Sequence, residues 1–282
     1  MRDTLDLPDG TTIDYDTYGD PDGRPVLAWH GTPSASSIWQ PLDDAARAAG
    51  VRLVAPNRPG IRGSSRLHHH DVAAASALGM ALVEELGLDE VAVLGWSGGG
   101  PFALGCGAVA ADRVTRIVVV AGVEPPGPDS DPIDRDDAKL EGRAHHAPLL
   151  ARAALAVEAA ASKHAPEQAL AAITKELPPV DAAELAAYPG WSGMGFFTEA
   201  FEHGTRGVVD DYWCLSSPWG FELADVTAPV QVFWGDADTE VPRSHAEHIA
   251  DGVVDGSLEV LPGLGHFCVV AEAPRILAAT AG

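Results

Sequence analysis

The chain has 282 residues, 46% of them apolar, which is enough for a sizeable core, and its 18 basic against 41 acidic side chains give a formal net charge of −23 at pH 7. That charge excludes a nucleic-acid partner, which needs a basic footprint, and disfavours strongly anionic substrates. The first residues lack the apolar core of a signal peptide and no run approaches the ~20 apolar residues of a membrane span, so the expectation is a cytoplasmic protein, monomer or homodimer, that does not touch a membrane.

Residues 3–18 alternate polar and apolar about Pro8-Asp9-Gly10 and read as a β-hairpin. Pro25-Val26-Leu27-Ala28-Trp29 reads as a buried strand leading into His30-Gly31-Thr32-Pro33, and 35–49 as an alanine-rich helix ending at Gly50. The next strand, 51–56, opens into a loop, Asn57-Arg58-Pro59-Gly60-Ile61-Arg62-Gly63-Ser64-Ser65. Asp71 caps a helix to about Leu86, Val91–Leu94 forms a strand, and 114–123 forms another. Strands alternating with helices at this spacing call for a mostly parallel sheet with helices on both faces.

The rhythm breaks from Glu124 to about Leu223, where helical patterns near 144–163, 166–177, 181–188, 195–203 and 205–215 follow a proline-rich lead. The expectation is a core formed by 1–123 and 224–282 with a helical cap, 124–223, inserted after the sixth strand of a roughly eight-stranded sheet. Sheet-like sequence resumes with the strand 229–234, a helix at 242–251, the strand 258–261 and a final helix after His266. Cys106, Cys214 and Cys268 are too few and too far apart for a disulfide framework or zinc ligation and are expected as buried thiols.

The chemistry centres on Gly95-Trp96-Ser97-Gly98-Gly99-Gly100, a serine between a buried strand and a helix. So tight a turn needs small neighbours, projects the hydroxyl into open space and sets the N–H of Gly98 near a helix N-terminus, where negative charge is stabilised. A serine hydroxyl is a poor nucleophile without a base, normally a histidine oriented by a carboxylate. Gly263-Leu264-Gly265-His266-Phe267 follows the last strand, and Gly235-Asp236-Ala237-Asp238 follows the strand before it. Asp236 or Asp238 can supply the acid, and Glu124, also at a strand end, is a third candidate.

Taken together, these segments resemble an α/β-hydrolase over essentially the whole length, in the esterase and peptidase-like branch that carries His-Gly-Thr-Pro, an Arg-Pro-Gly loop and a late Gly-x-Gly-His-Phe. The resemblance implies Ser97 as nucleophile, Asp238 as acid and His266 as base, with backbone N–H groups of Thr32 and Gly98 as the oxyanion hole, and no cofactor or metal. Three positions depart from the family pattern: the Arg-Pro-Gly loop opens on Asn57 rather than Asp and carries Arg62 at a second glycine position, and Trp96 precedes the nucleophile where histidine is common.

The cap aromatics Tyr188, Trp191, Phe196, Phe197, Phe201, Tyr212, Trp213, Trp219 and Phe221 chiefly make the cap's own core and its seam with the sheet, while Trp96, Phe197 and Trp213 are candidates to line an apolar pocket over Ser97. His30 reads as a core histidine, His68-His69-His70 as a solvated loop, and His245 and His248 as surface residues. The function expected is hydrolysis of an uncharged ester, lactone or related acyl small molecule through an acyl-enzyme. A C–C lyase, a cofactor-free oxygenase and an aminopeptidase use the same scaffold, and a receptor that keeps the fold without catalysis is the reading from another class. Elbow aspartate is needed for dehalogenase or epoxide-hydrolase chemistry, and this chain has serine.

Overall fold

A strand that is apolar at every position has no face to offer water, so it belongs in the middle of a sheet covered on both sides. The computed structural model describes residues 1–187 and 195–281 and builds such a sheet from eight strands. These are β1 Arg2–Asp6, β2 Thr12–Gly19, β3 Arg24–Trp29, β4 Val51–Pro56, β5 Val91–Trp96, β6 Val114–Val120, β7 Val230–Gly235 and β8 Gly256–Leu261, in the spatial order β1-β2-β4-β3-β5-β6-β7-β8. The hairpin β1–β2 and the pair β2–β4 are antiparallel, and all the other pairs are parallel. The chain steps from β3 to β4 on one side and returns as β5 on the other, so the winding direction switches between β3 and β5. Open α/β sheets place ligands beyond the strand ends at such a switch.

Alternate side chains of each strand feed two cores. Leu27, Trp29, Val54, Val93 and Val119 share one with Val72, Ala75 and Val83 of α2 (Val72–Glu85), Phe102 of α3 (Gly100–Val109) and Ile249 of α10 (Arg243–Gly252). Val26, Ala28, Leu53, Leu94 and Val118 share the other with Ala46 of α1 (Asp43–Ala48) and with Ile276 and Leu277 of α12 (Ala273–Ala279). Asp71 accepts the N–H of Ala74 at 2.8 Å and starts α2 as its position predicts. Cys106, Cys214 and Cys268 are buried free thiols.

Between β6 and β7 the described residues hold α4 Arg135–His146, α5 Pro148–His164, α6 Pro166–Glu176, α7 Pro179–Ala187, α8 Gly195–Ala200 and α9 Arg206–Leu215, and the short α11 (Cys268–Ala271) follows β8. Three local expectations change. The helix at 35–49 splits into a 3-10 turn, Ser36–Leu42, and α1, because Pro41 lacks the N–H that an α-helix would bond. The helix at 144–163 is two helices broken at Ala147, which leaves the helical region at φ −150° and ψ 57°, because the proline that follows disfavours the α conformation there. The strand expected to run to Val123 stops at Val120, where Ala121 turns the chain at φ 48°. Tyr188 and Trp191 lie outside the described residues.

Candidate active site

β5 delivers Ser97 at a φ of 54°, the left-handed region that costs a non-glycine residue roughly 1–3 kcal/mol and persists only where packing enforces it. The enforcement is close approach. A Cβ on Gly99 would lie 2.1 Å from the carbonyl oxygen of Trp29, and one on Gly95 would lie 2.4 Å from that of Gly99, so β3, β5 and the turn into α3 touch backbone to backbone. The serine is thereby set at the carboxyl end of β5, beside the switch point.

Two further strands, β7 and β8, lead into the loops that carry the other candidate residues. Asp238, three residues past β7, accepts the N–H groups of Glu240 (2.8 Å) and Val241 (3.0 Å) through Oδ1, and its Oδ2 accepts from His266 Nδ1–H at 3.0 Å. Its own turn therefore aims it at the imidazole. Asp236 instead accepts the N–H of Gly263 at 2.6 Å, and Glu124 pairs with His248 Nδ1 at 2.8 Å and sits 3.4 Å from His245 Nε2. Of the three candidate acids, Asp238 is the one in contact with His266.

The His266 carbonyl accepts the indole N–H of Trp96 at 2.9 Å, and the two rings lie 5.3 Å apart. Burial pulls the imidazole pKa down, but the charge of Asp238 and its hydrogen bond, with Glu240 and Asp181 behind them, outweigh it and raise the pKa to about 9. With Nδ1 committed to Asp238, Nε2 is the ring nitrogen left for another partner.

β3 ends in the loop carrying Thr32. A Cβ on Gly98 would lie 2.7 Å from Thr32 Oγ1, and one on Gly31 would lie 3.3 Å from Ser97 Cβ, so this loop and the elbow are immediate neighbours. What holds the loop is a group that sequence reasoning left unassigned. Arg58, 1% exposed, sends Nε to Asp211 Oδ1 and Nη2 to Asp211 Oδ2, both at 2.7 Å. It also donates Nη2 to the Gly31 carbonyl (2.8 Å) and to Thr32 Oγ1 (2.5 Å), and Nη1 to the His30 carbonyl. Thr32 Oγ1 in turn donates to Asp211 Oδ2 at 2.7 Å. Asp211 belongs to α9, so an inserted helix is tied to the loop beside Ser97 by a buried, bidentate ion pair.

The same helix touches the segment Asn57–Arg66 twice more. Arg66 pairs with Asp210, and a Cβ on Gly207 would lie 2.1 Å from the Gly60 carbonyl oxygen. Arg62, at the position where a glycine is usual, keeps a left-handed φ of 47° and spans a buried carboxylate cluster. Its Nη1 reaches Asp16 (2.5 Å), Ser36 Oγ (2.8 Å) and Glu199 (3.4 Å), and its Nε lies 3.6 Å from Asp14.

His30 is fully buried, its Nδ1–H donating to the Gly31 carbonyl at 2.9 Å while Nε2 accepts the Arg58 N–H at 3.3 Å. Desolvation first, and then Arg58, push its pKa well down, so it is neutral. Two expectations for other histidines are corrected. His70 is buried, bonded through Nδ1–H to the Leu67 carbonyl at 3.1 Å, although His68 and His69 are exposed as a solvated loop should be. His245 is 3% exposed rather than on the surface, because it receives the Glu124 N–H on Nδ1 (3.2 Å) and gives Nε2–H to the Asp131 carbonyl (2.7 Å).

The three aromatic pocket candidates occupy different places. Trp96 is buried beneath His266, Phe197 packs against Phe201 with centroids 5.1 Å apart, and Trp213 stands between His69 (5.2 Å) and His145 (5.8 Å). Asp137 accepts the Tyr212 hydroxyl at 2.6 Å, and burial raises its pKa to about 6. Burial likewise lifts Glu240 to about 7. Among the described residues no group of three histidine, cysteine or carboxylate side chains is arranged to hold a metal ion, and no helix is long and apolar enough to cross a membrane.

Residues 26–280 match the model of the alpha/beta hydrolase family. A non-heme haloperoxidase from Rhodococcus erythropolis is 27% identical over 273 residues, which cover 93% of this chain and 92% of that protein. In three dimensions, a bromoperoxidase from Bacillus anthracis superposes with a TM-score of 0.76 at 19% identity over 100% of this chain and 99% of its own. An esterase from Rhodococcus sp. ECU1013 gives a TM-score of 0.70 at 22% identity over 99% of both chains. With the sheet order, the serine at the end of β5 and a family match spanning β3 to α12, the chain belongs to the alpha/beta hydrolase family of enzymes.

Proposed function

We propose that the protein is a serine hydrolase that cleaves an uncharged ester, lactone or related acyl compound through an acyl-enzyme on Ser97. The observation that carries this reading is the 3.0 Å contact between Asp238 and His266 on loops beyond β7 and β8, at the same end of the sheet as the strained serine of β5. His266 Nε2 takes the proton of Ser97 as Oγ attacks the acyl carbon, and Asp238 stabilises the imidazolium that forms. The backbone N–H groups of Thr32 and Gly98 receive the oxyanion, a role in which one lost donor costs about 10²–10³ in turnover. His266 then returns the proton to the leaving oxygen, and water, deprotonated by the same nitrogen, releases the acid and frees Ser97. Residues 124–223 serve as a cap over the site and set which acyl groups enter.

A second reading is favoured by the relative named a non-heme haloperoxidase. It keeps the acyl-enzyme and replaces water by hydrogen peroxide, whose attack releases a peroxyacid that can oxidise halide.

The test is turnover of short-chain p-nitrophenyl esters by wild type and Ser97→Ala, with fluorophosphonate labelling located by mass spectrometry. Wild type should be labelled at Ser97 and turn over, and Ser97→Ala should lose at least ~10³-fold. Equal rates in the two proteins would sink the proposal. Bromide oxidation that requires both acetate and peroxide, and that disappears in Ser97→Ala, would favour the second reading.

A further inference from the structure

A peptide following a strand end carries N–H donors that no ladder satisfies, and burying them unpaired is costly. The loop that bears His266 solves this with a side chain from the insertion. Asp181, on α7, is fully buried, and it accepts the His266 N–H through Oδ2 at 2.9 Å and the Phe267 N–H through Oδ1 at 2.8 Å. One oxygen serves each donor, so the pair of bonds fixes both position and tilt of the peptide between them. The fit leaves no slack, since a Cβ on Gly265 would come within 2.1 Å of Asp181 Oδ2. On the other side the His266 carbonyl is held by the Trp96 indole, next in sequence to Ser97. The histidine backbone is thus gripped at its N–H from the insertion and at its C=O from the elbow.

The geometry points to Asp181 as a positioning residue: the inserted helix α7 holds the backbone of His266 so that its imidazole stands between Asp238 and Ser97. This rests on the Ser97 hydrolase reading above and deepens it, because part of the insertion then acts on turnover as well as on substrate entry. A neutral acceptor would satisfy one N–H equally well, but a buried carboxylate satisfies two and places a negative charge close to the ring that becomes imidazolium. Burial lowers the His266 pKa, and after Asp238 and Glu240 the Asp181 charge is among those that raise it.

The discriminating variant is Asp181→Asn, which has nearly the same shape but one acceptor oxygen and no charge. It is compared with wild type in fluorophosphonate labelling of Ser97, in ester turnover against pH, and in amide hydrogen exchange at His266 and Phe267. The expected result is a kcat lowered about 10–100-fold, the scale set by misplacing a catalytic group by up to an ångström, with KM within about twofold. The acid limb of kcat/KM should move to lower pH, and both amides should exchange faster. A folded Asp181→Asn protein with wild-type kcat and an unmoved limb would overturn the inference. If wild type itself fails to label, the hydrolase reading falls, and the two amides alone then decide whether Asp181 holds the loop: faster exchange in the variant supports it and unchanged exchange overturns it. If the variant does not fold, exchange in wild type decides, with protected amides at 266 and 267 supporting the contact and unprotected ones refuting it.

Discussion

Replacing Asp211 by alanine should reveal how strongly the insertion is bound to the site. In wild type Asp211 receives Arg58 Nε and Nη2 and the Thr32 hydroxyl, and both charged side chains are almost wholly out of solvent, at 1% and 3% exposure. Asp211→Ala leaves the guanidinium with the carbonyls of His30 and Gly31 but without a counter-charge. Removing one partner of a buried pair costs about 3–5 kcal/mol, because the remaining charge cannot return to water. At about 2–4 °C per kcal/mol for a domain approaching this size, Tm should fall by roughly 6–20 °C.

Taking both charges away tests the cause. An Arg58→Met, Asp211→Leu double variant removes the stranded charge along with the attraction, so it should be more stable than either single substitution. Thermal and urea unfolding of wild type, Arg58→Met, Asp211→Leu and the double variant closes the cycle, and the double variant should lose at least ~2 kcal/mol less than the sum of its two singles. A loss below ~1 kcal/mol for Asp211→Ala, or a double variant whose loss equals the sum of the singles, would refute the reasoning.

Further outcomes follow from the contacts of His266 and Arg62. His266 is raised from 6.5 to about 9, and catalysis needs it neutral, so kcat/KM should climb with pH through about 9. Asp238→Asn should move that limb down and lower kcat by ~10⁴-fold, and a limb that stays in place would show that the ring titrates independently of Asp238. The linked stability term has the opposite slope: a group whose folded pKa is raised stabilises fully below 6.5 and loses that contribution as pH rises through 9, so the part of the alkaline fall due to His266 should vanish in His266→Asn. Finally, Arg62→Gly restores the usual residue and relieves a left-handed φ, a gain of roughly 1 kcal/mol or a little more. It also strips the buried carboxylate of Asp16 of its cation, at about 3–5 kcal/mol, while Asp14 keeps Arg2 at 2.7 Å, so urea unfolding should show a net loss, and a variant as stable as wild type would contradict this.

The sheet was legible because burial on two faces leaves a local mark: Val26–Trp29 and Val91–Leu94 are apolar at successive positions, as a strand covered on both sides requires. Ser97, Asp238 and His266 were legible as candidates because each follows such a strand within a few residues and glycines mark the turns. Asp181 and Asp211 carry no comparable signature. Each is one carboxylate among many on a helix of an acidic chain, and only the folding of the insertion back onto the sheet decides that these two point inward. The burial of His245 was hidden for the same reason, since its partners Glu124 and Asp131 lie more than a hundred residues earlier. α4 escaped notice because its sequence, Arg135 to His146, is too polar to show a clear apolar stripe, and its start rests on Asp134 accepting the Asp136 N–H at 2.7 Å.

The placement of Asp181 and Asp211 bears on how such an enzyme can be re-engineered. Insertions between β6 and β7 invite treatment as exchangeable modules, swapped between relatives to import a new selectivity. Here two of the fasteners for the loops that carry His266 and Thr32 are part of the module, one bound to the backbone of His266 and Phe267 and one to Arg58 and Thr32. A graft that keeps the sheet and replaces the insertion discards both. Carboxylates therefore have to be rebuilt at positions equivalent to 181 and 211 before a chimera's poor turnover can be blamed on its new pocket.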